Sequence, residues 1–475
     1  MSTSGDAARA TTLALVRRQR TEVELARLDG EHGTWIARRR AAPEATRYRS
    51  QLNAVDAVVR TAVDQLRAGL DAVDLSSPLD QIYETCRTFD LRLLWLRRVR
   101  EFFTAKFDQR DGDLADVISA ADEVVWSCYH QVFARARELA RIRTGAPPLP
   151  FIEPRYSPAM FPADLVPAGL QSDIDKPFLV GHLNRLPVSV VRLQPACVTG
   201  PWWLVYAAHE VGHSVQFDLA GRRALVDGYQ VLVEQAVREA GGQAGDVLRW
   251  GRWSREVFAD VFSVLMMGQW AIWAMVELEL QGEAAMGERR ELYPPGAVRL
   301  ELLAATAAAV GLDSGAALRG VEPKRIAAKS PGASRDVGFV DAVAEASLKR
   351  LPSVNVTLSA LCNFRAGDFQ SGPDGKPSRV DGLRTALVNG GPSSVEQSLD
   401  GPRLGAAAAL AAWSDVMGTV DETERAGLAA RSLRLIRTSG PPGTRDSALA
   451  ADASVAATDL AQALLTADLG KLEVQ

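Results

Sequence analysis

Two of the chain's five histidines stand four positions apart, with a glutamate directly after the first, in AAHEVGHSVQ, residues 207 to 216. No other stretch restricts the fold as tightly. The flanks WWLVYAA and SVQF are apolar and free of proline, which predicts a helix. Four residues are just over one turn of 3.6, so His209 and His213 share a face. Glu210 lies about 100° further round the same helix, beside a bound ion rather than on it. Two neutral imidazoles begin a zinc site, but hydrolysis needs a third protein ligand and leaves the remaining position to water. A second segment must therefore come against this helix.

SREVFADVFSVLMMG, residues 254 to 268, offers that segment. Glu256 and Asp260 are again spaced i, i+4 on a strongly apolar helical stretch, so Glu256 can point at the ion from a second helix. Asp260, one turn on, can take a hydrogen bond from the free ring nitrogen of His209 or of His213, fixing the tautomer and raising the basicity of the ligand. A metzincin would carry Gly at 216 and His at 219; Gln216 and Leu219 exclude that class.

HEVGH followed at a distance by EVFAD resembles the gluzincin zinc metallopeptidases, in particular the branch with an E-x-x-A-D second motif that includes the CAAX-processing-protease-like enzymes. The resemblance covers residues 187 to 305, about a quarter of the chain. It implies His209, His213 and Glu256 as ligands of one zinc ion, Glu210 as general base and Asp260 as the residue orienting a ligand imidazole. Relatives often carry a proline-containing segment after the second motif, with a polar residue just before the proline and an arginine a few positions later. In ELYPPGAVRLELL, residues 291 to 303, those places are held by Tyr293 and Arg299. Many relatives have histidine where this chain has Tyr293, whose phenol is suited to an oxyanion. Arg299 is expected to brace the site through an ion pair.

The chemistry follows from these parts. Zinc lowers the pKa of a bound water from 15.7 to about 7 and polarises a scissile carbonyl, while Glu210 carries the proton to the leaving amine. No Gly-x-Ser-x-Gly elbow offers an alternative nucleophile. Tyr206, three residues before His209, and Tyr229, between the two motifs, are substitutes for Tyr293 as oxyanion donor. His32, in the polar LDGEHGTW, reads as a surface residue, and the isolated His130 and His182 read as structural.

The remainder of the chain bounds this reading. At 475 residues, two to four domains of about 150 residues are expected. A net charge of −4 argues against a general nucleic-acid binder, which carries a basic excess. The clusters RRQR (17 to 20) and RRR (38 to 40) read as solvated helix faces. Cys86, Cys128, Cys197 and Cys362 form no C-x-x-C pair and read as buried thiols in a reducing compartment. No signal-peptide core is legible at the N-terminus, so the cytoplasm is the expected location and the sequon at Asn355 carries no weight. The longest apolar run, 261 to 276, is interrupted by Gln269 and falls short of the ~20 residues needed to span a bilayer. It predicts a buried helix behind the metal site.

Residues 1 to 147 read as a helical region, 148 to 305 as the metallopeptidase core and 306 to 475 as an Ala-rich helical region with flexible loops around 365 to 405. The proline-dense stretch 144 to 169 reads as an extended connector. LPVSVVRLQP, 186 to 195, is β-branched and proline-bounded and reads as an edge strand, on which the resemblance places the substrate backbone by strand addition. The expectation is a mainly α protein in which a gluzincin-like core, with its HEXXH helix, small sheet and second ligand helix, is flanked by helical regions. Its partner would be a peptide or protein substrate, with further protein partners through the flanks. The alternative is a helical interaction or scaffold protein whose zinc site is structural or inactive; such a site normally fills all four positions with protein ligands.

Overall fold

The computed structural model describes residues 3–140, 146–155, 158–161, 188–220, 224–372, 375–391 and 394–443. His182 lies outside them. The described chain is mainly helical with one three-stranded sheet, and it divides into two compact units, one holding 3–108 and the other 109–160 and 190–443.

The first unit is a bundle of three long helices, α1 (Thr3–Ala41), α2 (Ala45–Asp71) and α3 (Leu79–Phe107), each packed on the other two. Leucine and valine at helical spacing, such as Leu52, Val55, Val59, Val63 and Leu66 on α2, supply its core. Two residues expected at the surface are inside it. His32 is 1% exposed with its Nε2 3.1 Å from Asp56 Oδ1. Arg39 is 1% exposed and donates from Nη1 to the carbonyl of Phe107. A polar sequence neighbourhood misled in both cases, because a helix that packs on two others buries a wide stripe, and polar groups inside that stripe survive by finding partners.

The second unit is built around the metal-motif helices. Helix α4 (Ala115–Ala140), which the boundary at 147 assigns to the N-terminal region, packs instead against α5 (Ala207–Asp218), the helix of the first motif. Seventeen of its residues are buried, too many for a helix facing solvent. Another side of the second-motif helix is covered by α6 (Ala224–Glu239); that helix, α7 (Ala244–Met267), also packs directly against α5.

The apolar run at 261 to 276 is buried but is not one helix: Gly268, at φ +62°, separates α7 from α8 (Gln269–Glu279). A Cβ at Gly268 would fall 2.5 Å from the Phe369 ring, so both the backbone angle and the packing require glycine. Among the described residues no helix is long and apolar enough to cross a membrane.

After α9 (Gly296–Ala309) come α10 (Val340–Ser347), α11 (Arg379–Val388), α12 (Gly401–Val416) and α13 (Glu422–Ser439). Helices α12 and α13 pack on α4 in this same unit rather than forming a separate domain. The buried Arg403 of α12 donates to the carbonyl of Met266 and is itself held by Asp400, so it satisfies the C-terminal end of α7. The stretch 365 to 405, expected as loops, contains the short helix Ala366–Phe369 and the whole of α11.

The sheet has the order β1-β3-β2, with β1 (Leu149–Ile152), β2 (Ala159–Phe161) and β3 (Val190–Leu193). Strands β1 and β3 are parallel, Leu149 opposite Val190 and Ile152 opposite Leu193. The β-branched stretch at 186 to 195 therefore gives the central strand, not an edge, and both outer strands come from the proline-dense stretch expected to be a connector. The chemistry is consistent: a buried central strand in parallel pairing takes a Val/Leu run, whereas Pro150 is tolerated in β1 because an outer strand has one side without ladder bonds.

Candidate metal centre

Residues Pro201–Tyr206 form a 3-10 turn that runs directly into α5, delivering His209 within the first helical turn. His209 and His213 then stand on one face with ring centroids 4.9 Å apart and planes nearly perpendicular. From α7, the Glu256 carboxylate reaches between them: Oε2 lies 3.4 Å from His209 Nε2 and Oε1 lies 3.5 Å from His213 Nε2. One ligand atom from each of the three residues falls within 4.8 Å of the others.

The support beneath is more extensive than the spacing foretold. Asp260 takes the first of the two imidazoles open to it: its Oδ1 is 2.9 Å from His209 Nδ1. Arg299, on α9, donates to both oxygens of Asp260, Nε to Oδ2 at 3.0 Å and Nη2 to Oδ1 at 2.8 Å. Its remaining nitrogen, Nη1, donates to Glu279 Oε1 at 2.8 Å, and Nη2 stands 3.6 Å from Glu256 Oε2. No motif points to Glu279. It lies at the end of an apolar helix two residues after the exposed Glu277, and nothing in the sequence tells the two acids apart.

Glu210, Glu256, Asp260 and Glu279 are all nearly or fully buried around a single buried guanidinium, so among the buried groups negative charge exceeds fixed positive charge, which suits an added cation at the triad; three further arginines, Arg252, Arg255 and Arg290, stand on the cavity wall. The titration behaviour expresses this. Burial alone would depress the His209 imidazole, but Asp260 and Glu256 outweigh it and hold its pKa up to about 10. The His213 imidazole, buried and 3.5 Å from Glu256, is pulled down to about 3 by burial, so it presents a neutral ring. Burial would raise the Glu256 carboxyl, yet the two histidines and Arg299 hold it below the ordinary range. Glu210, with burial dominant and Glu256 nearby, is pushed up to about 7.

A cavity of about 540 Å³ opens over the triad. Glu210 and Tyr293 are on its wall, and so are Ala159 and Met160 of the outer strand β2. Tyr293 is 44% exposed, and burial by its surroundings raises the phenol above its ordinary pKa. The other two tyrosines are committed elsewhere: Tyr206 donates to the carbonyl of Ala274, and Tyr229 donates to Ser347 Oγ. His130 stacks on Trp126 with centroids 4.7 Å apart. All four cysteines are buried and unpaired.

Two imidazole nitrogens and one carboxylate at this spacing are a donor set that suits zinc, and a wall open to a cavity leaves room for water at the fourth position. Compared with known proteins, the chain matches no family model, no curated protein and no solved structure.

Proposed function

We propose that the chain is a zinc-dependent peptidase of the gluzincin type, with His209, His213 and Glu256 holding one zinc ion. The observation that carries this reading is the convergence of those three ligand atoms within 4.8 Å on the floor of a cavity that also bears Glu210. Zinc bound there would supply Lewis acidity and a water acidified toward neutrality.

This chain's own residues do the rest. Asp260 orients the His209 ring and is itself fixed by the two-pronged grip of Arg299. Glu210, buried on the cavity wall, takes the proton of the attacking water on its carboxylate and returns it to the departing nitrogen. The Tyr293 hydroxyl donates to the oxygen that gains charge in the transition state. The outer strand β2, lying at the cavity, offers an extended backbone with which a substrate strand pairs. A site with three protein ligands beside a buried carboxylate and a cavity favours catalysis over a structural zinc, which would have four protein ligands.

The test uses the intact chain and its Glu210→Gln variant, with metal counted by mass spectrometry and cleavage followed on an unfolded polypeptide. The expected result is one zinc per chain in both and cleavage only in the wild type. Absence of zinc from the wild type, or undiminished cleavage by the variant, refutes the reading.

A further inference from the structure

Arg252 and Arg255 line the same cavity as the triad. They lie on α7 immediately before Glu256: Arg252 is i, i−4 from it, on the same face and about 6 Å up the helix axis at 1.5 Å per residue, and Arg255 is its direct neighbour. Arg249, one turn earlier on the same helix, is fully engaged by Asp246 and Asp336. By contrast, neither Arg252 nor Arg255 has an ion-pair partner among the described residues, and both are exposed to the cavity. A third arginine, Arg290, stands on the wall near Tyr293, its Nη1 3.9 Å from Glu279 Oε2. Of the three carboxylates lining the cavity, Glu256 faces the histidines, Glu279 faces Arg299 and Arg290, and Glu210 has no ion-pair partner among the described residues. With a divalent ion in place, positive charge exceeds negative on this wall, and two guanidiniums remain to meet an incoming anion.

We infer that Arg252 and Arg255 form a carboxylate-recognition subsite, so that the cleft takes peptides carrying an acidic group close to the bond to be cut. The inference rests on the peptidase reading above and adds the substrate class to it. A guanidinium fork matches a carboxylate in two parallel hydrogen bonds, which supplies orientation as well as affinity. The carboxylate has two chemical sources, an Asp or Glu side chain or the peptide's own C-terminus, and the subsite serves either. Placement one turn from the ligand Glu256 sets it within one or two residues of the scissile bond, given about 3.3 Å per extended residue.

The experiment measures binding rather than turnover, on the zinc-loaded Glu210→Gln protein, by fluorescence polarisation with four labelled peptides of one length. They combine a central Glu or Gln with a free or amidated C-terminus. The expected result is about tenfold tighter binding of carboxylate-bearing peptides than of the neutral amidated one. That preference weakens with added salt and falls to near unity with Arg252→Gln plus Arg255→Gln. Sensitivity to amidation alone assigns the C-terminus, and sensitivity to the central Glu alone assigns a side chain. Because both arginines are exposed, the substitutions leave the fold intact, which a thermal melt checks. Charge reversal by Arg252→Glu plus Arg255→Glu is expected to favour a central Lys instead. Equal affinity for all four peptides, no binding of any, or a preference that survives loss of both arginines overturns the subsite. A protein that binds acidic peptides in this way yet cuts nothing in the wild type would leave the subsite standing and remove the peptidase.

Discussion

Gly212 and Ala259 are packed so closely that a Cβ built on Gly212 would lie 3.0 Å from the Ala259 Cα, with the Phe262 ring equally near. The first is the fourth residue of HEVGH and the second precedes Asp260, so each motif supplies the small residue that lets the other approach. Because α5 and α7 touch here, Glu256 reaches both histidines and Asp260 reaches His209.

Gly212→Val is therefore expected to prise the two helices apart. The overpacking costs about 1–3 kcal/mol, and the branched side chain lacks the relief available to a flexible one. Zinc uptake should fall more steeply than the melting temperature, since the ligand atoms must move together. Metal titration alongside a thermal melt measures both, and full-strength zinc binding in a well-folded Gly212→Val chain would contradict the packing argument.

Replacing Arg299 by Met leaves Asp260 and Glu279 buried without their shared partner, and breaking a buried pair in this way costs about 3–5 kcal/mol. Arg299→Lys should recover only a minor part, because the three contacts come from three separate nitrogens of a planar fork, whose spread a single ammonium nitrogen does not reproduce. Urea unfolding of the three proteins ranks them, and a Lys variant equal to the wild type would show that charge alone is what matters.

Tyr293→Phe removes only a hydroxyl from the cavity wall. If that hydroxyl stabilises the developing oxyanion, turnover should drop by about 10² to 10³, with zinc content and unfolding unchanged. A wild-type rate would confine Tyr293 to shaping the cleft.

In the first unit, burial would raise the Asp56 carboxyl, but hydrogen bonds from His32 and Arg60 and the charge of Arg40 hold it down to about 2, below its ordinary 3.8. A depressed folded-state pKa means the ionised group stabilises the fold above about pH 4 and loses that contribution as the pH falls toward about 2. Asp56→Asn should therefore cost about 1–2 kcal/mol at neutral pH, and its deficit against the wild type should shrink between about pH 4 and pH 2. Urea midpoints across that window test the sign, and a deficit that grows on acidification would reverse it.

What could be read from residue order was local. The 3.6-residue repeat placed His209 with His213 and Glu256 with Asp260, since helical neighbours are fixed by backbone geometry alone. The apolar run at 261 to 276 declared itself buried, and its break is a local matter of the positive φ at Gly268, whereas the Phe369 ring packed against that glycine comes from a hundred residues away. His32 and Arg39 looked solvated because their neighbours are polar; their burial depends on α2 and α3 packing around them.

The sheet shows the same division. A β-branched run identifies a strand but not its place, which depends on who pairs with it, and here two short strands from a proline-dense stretch flank β3. Likewise, neither the choice of His209 over His213 for Asp260 nor the part of Glu279 has any trace in spacing. Both are contacts between segments distant in the chain, and only packing sets those distances. Residue order was enough to say which side chains share a helical face, because backbone geometry does that locally. That those faces meet around one point follows from how α5, α7, α8 and α9 pack together.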